Sequence, residues 1–129
     1  IKGLSGFRLA MRRFTAASEV ISREAGVTQQ QYQVMLAIKA SDEVGLAMKD
    51  LAEELLLRPH GAVQLVDRLA AAGLVARRQS KVDRRVVRVC LTDQGDLLLD
   101  RLAEKHLAEM LRQEPDLRRS LNRLRKLAE

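Results

Sequence analysis

The sequence predicts a mostly α-helical chain with one small β-hairpin, and three features carry that expectation. Apolar residues make up 47% of the 129 residues but aromatics only 2%, so the core is built from Leu, Val, Ala and Met, a composition that favours helices. Most of the chain repeats apolar residues at three- and four-residue spacing, the period of an amphipathic helix. Two short runs rich in β-branched residues, Leu74 to Gln79 and Val86 to Leu91, flank a polar loop, which is the pattern of a hairpin with a long tip. At this length one domain, residues 1–129, is expected.

From Leu4 to Ala25, Phe7, Ala10, Met11, Phe14, Ala17 and Ile21 mark one helical stripe, with Arg8, Arg12 and Arg23 off it and Gly26 as the stop. A helix of about 20 residues spans about 30 Å, more than the small unit after it needs for packing. Part of it is therefore expected to pack on a second subunit. Thr28 and Gln31 have capping-box spacing and open a helix to about Lys39, with Tyr32, Met35, Leu36 and Ile38 inward. Ser41 to Gly45 is a turn-rich break, and Leu46 with Ala47 is expected to add a very short strand beside the hairpin.

Met48 to Leu56 gives a third helix, with Met48, Leu51, Ala52 and Leu55 inward, and Leu57 and Arg58 turn the chain into a fourth. Pro59 suits a first helical position, where its missing N–H is not needed, and Gly73 suits a left-handed stop. Between them Ala62, Val63, Leu65, Val66, Leu69 and Ala70 form an apolar stripe, with Gly61, Gln64 and Arg68 on the opposite face. Thr92 is expected to cap a helix from Asp93 to about Arg112, with Leu98, Leu102 and Met110 among its apolar residues. Pro115 then restarts the chain in a final helix with Leu117, Leu121, Leu124 and Leu127 on one side and Arg118, Arg119, Arg123 and Lys126 on the other.

Charge concentrates at the hairpin. Arg77, Arg78, Lys81, Arg84, Arg85 and Arg88 stand there against Asp83 alone, in a chain whose net charge is +6. A cationic hairpin beside a helix with a polar, small-residue face is the electrostatic footprint of a nucleic-acid reader. Arg pairs in bidentate fashion with guanine and Gln with adenine, so Gln64 and Arg68 are candidates for base edges. His60, at the helix N-terminus, is placed for a phosphate or base acceptor, and Gly61 allows close approach.

The segments Leu65-Val66-Asp67-Arg68-Leu69, Gly73-Leu74-Val75, Asp83-Arg84-Arg85 and Leu91-Thr92-Asp93-Gln94-Gly95, in this order and spacing, resemble the MarR family of bacterial winged helix-turn-helix regulators. The resemblance covers nearly the whole chain. It implies a winged helix-turn-helix over residues 28–91, with dimerisation helices at 1–26 and 92–129. It further implies a homodimer on a pseudo-palindromic operator in double-stranded DNA, with the fourth helix in the major groove and the wing in the minor groove. In that picture Arg85 enters the minor groove, where a narrow groove concentrates negative potential, and Asp83 fixes the loop. Arg77, Lys81 and Arg84 are assigned to phosphate, which adds affinity without sequence information. Ala47 and Arg58 stand where the family commonly has Ser or Thr, so each forgoes a cap worth about 1 kcal/mol.

The expected function is a sequence-specific, cytoplasmic transcriptional regulator, a repressor released by a small aromatic or phenolic effector. Phe14 and Tyr32 are the aromatic candidates to face that effector, and both also suit a core. The operator, the effector and its site, and the target genes stay open. The alternative is a basic architectural or RNA-binding module without operator choice. With two His, one Cys and no Gly-rich phosphate loop, an enzyme has little to build from, and no cofactor is called for. His106 and Glu109 have the spacing of a metal pair, but two ligands do not make a site. Cys90 alternates with Arg88 and Val86, which predicts partial exposure; inert packing is favoured over a redox role. The longest apolar-plus-Gly run, Leu69 to Ala76, falls far short of the roughly 18 residues of a membrane span. A single cysteine fits a reducing compartment, and the opening at Ile1 leaves upstream residues open.

Overall fold

The computed structural model describes residues 1–41 and 44–129, which divide into two compact units: Val27–Arg101, and a second made of Ile1–Gly26 together with Leu102–Glu129. The elements in order are α1 (Lys2–Glu24), α2 (Gln29–Ala40), β1 (Leu46–Ala47), α3 (Met48–Glu54), α4 (Pro59–Ala71), β2 (Val75–Gln79), β3 (Val87–Leu91) and α5 (Asp93–Leu127). The mostly helical expectation with a small β-wing holds. Of the expected break at Ser41 to Gly45, residues Asp42 and Glu43 lie outside the described residues.

In the unit Val27–Arg101, α2 opens on the expected capping box. Gln31 N donates to Thr28 Oγ1 (3.1 Å) and Thr28 N donates to Gln31 Oε1 (2.9 Å). The core is formed by Val34 and Met35 of α2, Leu51 of α3, Val66 and Leu69 of α4, Val89 of β3 and Leu99 of α5, all fully buried. The sheet is antiparallel in the order β1-β3-β2, with Leu46 opposite Val89 and Arg78 opposite Arg88. The short strand at Leu46–Ala47 is thus present beside the wing. Neither Ala47 nor Arg58 makes a side-chain cap, yet α3 and α4 begin at Met48 and Pro59 as expected.

Several sequence expectations need correction here. Val63 is 40% exposed: at 100° per residue it sits a quarter-turn from Ala62, outside the stripe of Ala62, Leu65, Val66 and Leu69 that packs inward. Leu36 is likewise exposed, while Val34 and Ala37 take the inward places in α2. α3 stops at Glu54 and not at Leu56, because Leu56 adopts a left-handed φ of 55° that no helix continues through. Cys90 is buried: β1 pairs alongside β3, and Gly45 lies so close that a Cβ there would meet the sulfur at 2.6 Å.

The end of α4 is locked to the start of α5. Gly73, at φ 76°, reverses the chain after α4. Thr92 Oγ1 donates to the Gly73 carbonyl (2.6 Å) and accepts from Gly95 N (3.1 Å), the expected cap. Gly95 is required by contact, since a Cβ there would lie 2.0 Å from the Leu74 carbonyl oxygen. These contacts set the base of the wing against α4.

In the second unit α1 and the distal part of α5 bury Gly3, Ser18, Ser22 and Leu102. Ser22 Oγ lies 3.5 Å from His106 Nε2, and His106 Nδ1 donates to the Leu102 carbonyl (2.8 Å). Phe7, Phe14, Ala17 and Ile21 are half-buried, but Met11 is exposed. The expected restart at Pro115 is overturned: α5 runs unbroken through it. Proline removes one backbone donor, a cost of about 3 kcal/mol, but strong helix formers flank it. Ion pairs Glu109–Arg112, Glu114–Arg118 and Asp116–Arg119 bridge the turns on both sides. Among the described residues no helix is long and apolar enough to cross a membrane.

Candidate nucleic-acid interface

The unit Val27–Arg101 presents α4 and the wing as an exposed polar surface. His60, Gln64 and Arg68 are all exposed on α4, and Gly61, half-buried, leaves open space where a Cβ would stand. Because α4 buries Ala62, Leu65, Val66 and Leu69, its four-residue ladder from His60 through Gln64 to Arg68 is left facing outward. Gln64 Nε2 donates to His60 Nε2 (3.3 Å), so these two side chains are already aligned along the helix.

The wing loop is tied to itself. Ser80 N donates to the Val86 carbonyl (2.9 Å) and Val86 N to the Asp83 carbonyl (3.0 Å), while Val82 N donates to Ser80 Oγ (3.3 Å). Asp83 then takes three bonds from one residue: Arg85 N and Nε donate to its Oδ1 at 3.1 Å each, and Arg85 Nη2 to its Oδ2 at 3.3 Å. Those bonds, side chain first and backbone second, hold the Asp83 carboxyl below the usual carboxylate range. Arg85 is nevertheless 91% exposed, so its guanidinium is oriented without being hidden.

The other predicted cations divide. Lys81 and Arg84 are exposed on the wing tip. Arg77 is drawn back to α4, where its Nη2 meets Asp67 Oδ1 at 2.5 Å, so it braces the wing against the helix as well as standing on the surface. Asp67 was not among the sequence candidates, and neither was Gln79, whose Nε2 donates to the Arg84 carbonyl (2.6 Å) and shapes the loop. Both contacts join residues brought together by folding. Arg88, opposite Arg78, donates to the Gly45 carbonyl (3.4 Å) and supports the sheet. Of the other residues weighed in the sequence, Tyr32 is a core residue, Glu109 is bound by Arg112, and His106 is engaged at both ring nitrogens.

Comparison with known proteins follows the same lines. A family model described as MarR family matches residues 25–86. The HTH-type transcriptional repressor MdtR of Bacillus subtilis (strain 168) is 32% identical over 87 residues, 67% of this chain and 55% of that protein. The chain thus spans about half the length of the curated relatives it matches. Among solved structures, AbsC, a MarR family transcriptional regulator from Streptomyces coelicolor, superposes with a TM-score of 0.79 at 25% identity, covering 93% of this chain and 82% of that one. The transcriptional repressor CouR bound to a 23-mer DNA duplex gives 0.70 at 27% identity, covering 95% and 89%. Motif order, winged helix-turn-helix architecture and these likenesses agree: the chain belongs to the MarR family.

Proposed function

We propose that this chain is a sequence-specific DNA-binding transcriptional regulator, a repressor that reads a pseudo-palindromic operator as a homodimer. The observation that carries this reading is the pairing of an exposed polar face on α4 with a wing whose Arg85 is oriented by Asp83 yet open to solvent. In this reading α4 enters the major groove, with Gln64 and Arg68 on base edges and Gly61 allowing close approach. His60 meets a phosphate or base acceptor at the helix N-terminus. Arg85 enters the minor groove. Lys81 and Arg84 bind phosphate, and Arg77 reaches phosphate from its anchor on Asp67.

The homodimer is supported by the terminal-helix unit, which exposes Leu107, Leu111 and Leu121 along one helix. Two half-sites one turn apart require reading helices about 34 Å apart. A small aromatic or phenolic effector would release the duplex by changing that spacing, and such a regulator works in the cytoplasm.

Selection of bound sequences from a random duplex pool, followed by titrations at two salt concentrations, tests the reading. A symmetric site with half-sites about 10 base pairs apart is expected. Equal affinity for selected and random duplexes would leave only sequence-blind phosphate contacts and would make the chain an architectural module instead.

A further inference from the structure

The outward face of α4 carries a contact between two of its own side chains. In a helix the Cα–Cβ bonds tilt toward the N-terminus, so Gln64 leans back over the turn that holds His60, four residues earlier. Gln64 Nε2 lies 3.3 Å from His60 Nε2, and both residues are exposed. An amide nitrogen only donates, so the ring nitrogen is the acceptor. The ring proton then sits on Nδ1. That atom has no protein partner among the described residues and stays available for the phosphate or base acceptor assigned to His60 above.

The same contact acts on the amide. The terminal torsion of a free glutamine is broad and close to twofold, so its oxygen and nitrogen exchange places readily. Base recognition depends on which way round they stand. Adenine offers the donor N6–H beside the acceptor N7 and matches a carbonyl oxygen beside an N–H. Guanine offers two acceptors, O6 and N7, and sets one of them against that carbonyl oxygen. A glutamine free to turn over tolerates both bases, whereas one held in a single orientation separates them.

We propose that His60 is a positioning residue for base readout: its ring takes the Gln64 N–H remote from Oε1, and so leaves Oε1 and the neighbouring N–H as a fixed edge that selects adenine. This role rests on the reading of Gln64 as a base contact given above. It assigns to His60 a part in sequence choice that a phosphate contact alone does not supply.

Titrations on the selected operator, and on duplexes changed at one base pair in each half-site, test this. Gln64→Ala identifies the position that Gln64 reads, by a loss of about tenfold in discrimination there. At that position His60→Ala is expected to lower the preference for adenine over guanine about fivefold, with preferences at the other positions unchanged. His60→Gln, whose Oε1 can stand near the place of Nε2, is expected to restore it. In the free protein, nitrogen-15 NMR of the neutral His60 ring is expected to show Nδ1 protonated and Nε2 bare, a readout that needs no variant. An equal loss on the adenine and guanine duplexes in His60→Ala overturns the proposal, since it would leave only a phosphate contact. So does an unaltered adenine preference, or a proton on Nε2 in the free protein. If Gln64→Ala disturbs no position, the base-contact reading of Gln64 falls too; if it disturbs one while His60→Ala does not, the role of His60 falls alone.

Discussion

The two units of this chain put their apolar residues to opposite uses. In Val27–Arg101 the large side chains converge: Val34, Met35, Leu51, Val66, Leu69 and Val89 are all at 0% exposure. In the terminal-helix unit the buried positions among the described residues are small or polar, Gly3, Ser18 and Ser22, with Leu102 the one large residue among them. There Leu107 and Leu121 stand 57% and 43% exposed. The contrast teaches that one half of the molecule closes its own core, while the other keeps apolar surface that only a further protein surface would cover. In the homodimer proposed above, a second copy would supply that surface.

The largest effect that would break this comparison comes from matched truncations. Leu69→Ala, in the closed core, is expected to cost about 2–5 kcal/mol in urea unfolding. Leu121→Ala should leave protomer stability within about 0.5 kcal/mol while weakening self-association at least tenfold by sedimentation velocity. Equal destabilisation by both would show that the terminal helices close their own core after all. Next in size, Arg85→Ala should cost about 1–3 kcal/mol of operator binding with no change in the unfolding midpoint, because among the described residues the Arg85 side chain bonds to Asp83 alone and is 91% exposed. A loss of stability instead of binding would make it a structural residue.

Leu56→Gly sharpens the picture of the reading unit. Leu56 holds a left-handed backbone with its side chain 93% exposed, so it bears strain and returns no burial. Replacing it should raise the unfolding free energy by about 1 kcal/mol; an unchanged or lower value would mean the side chain supports the turn. The smallest effect is in the terminal helices. Arg112 first, then Gln113, hold the Glu109 carboxyl down to about 2 from 4.5. This folded-state depression contributes stability that is present above 4.5 and is lost as pH falls toward 2. A carboxyl NMR titration with a midpoint near 4.5 would show the clamp to be absent in solution.

Much of this was legible in the sequence because local chemistry wrote it there. The Thr28–Gln31 box, Pro59 at a helix start, Gly73 at a helix stop and the two β-branched runs each specify a conformation within a few residues. The Asp83–Arg85 pair was readable for the same reason, being two residues apart. The misses share a different cause. Cys90 is covered by Gly45, and Arg77 is bound by Asp67, ten residues away on another element. Strand alternation cannot report a neighbour that arrives from elsewhere in the chain.

By itself the sequence determined the element order as far as the start of α5, the helix and strand types, the cationic wing and the outward placing of Gln64 and Arg68, because periodicity and turn chemistry act over a few residues. Tertiary structure alone decided the rest. It buried Cys90 beneath Gly45. It also locked Thr92 and Gly95 to Gly73 and Leu74. Those outcomes depend on which surfaces meet, and that is settled by packing between segments distant in the chain.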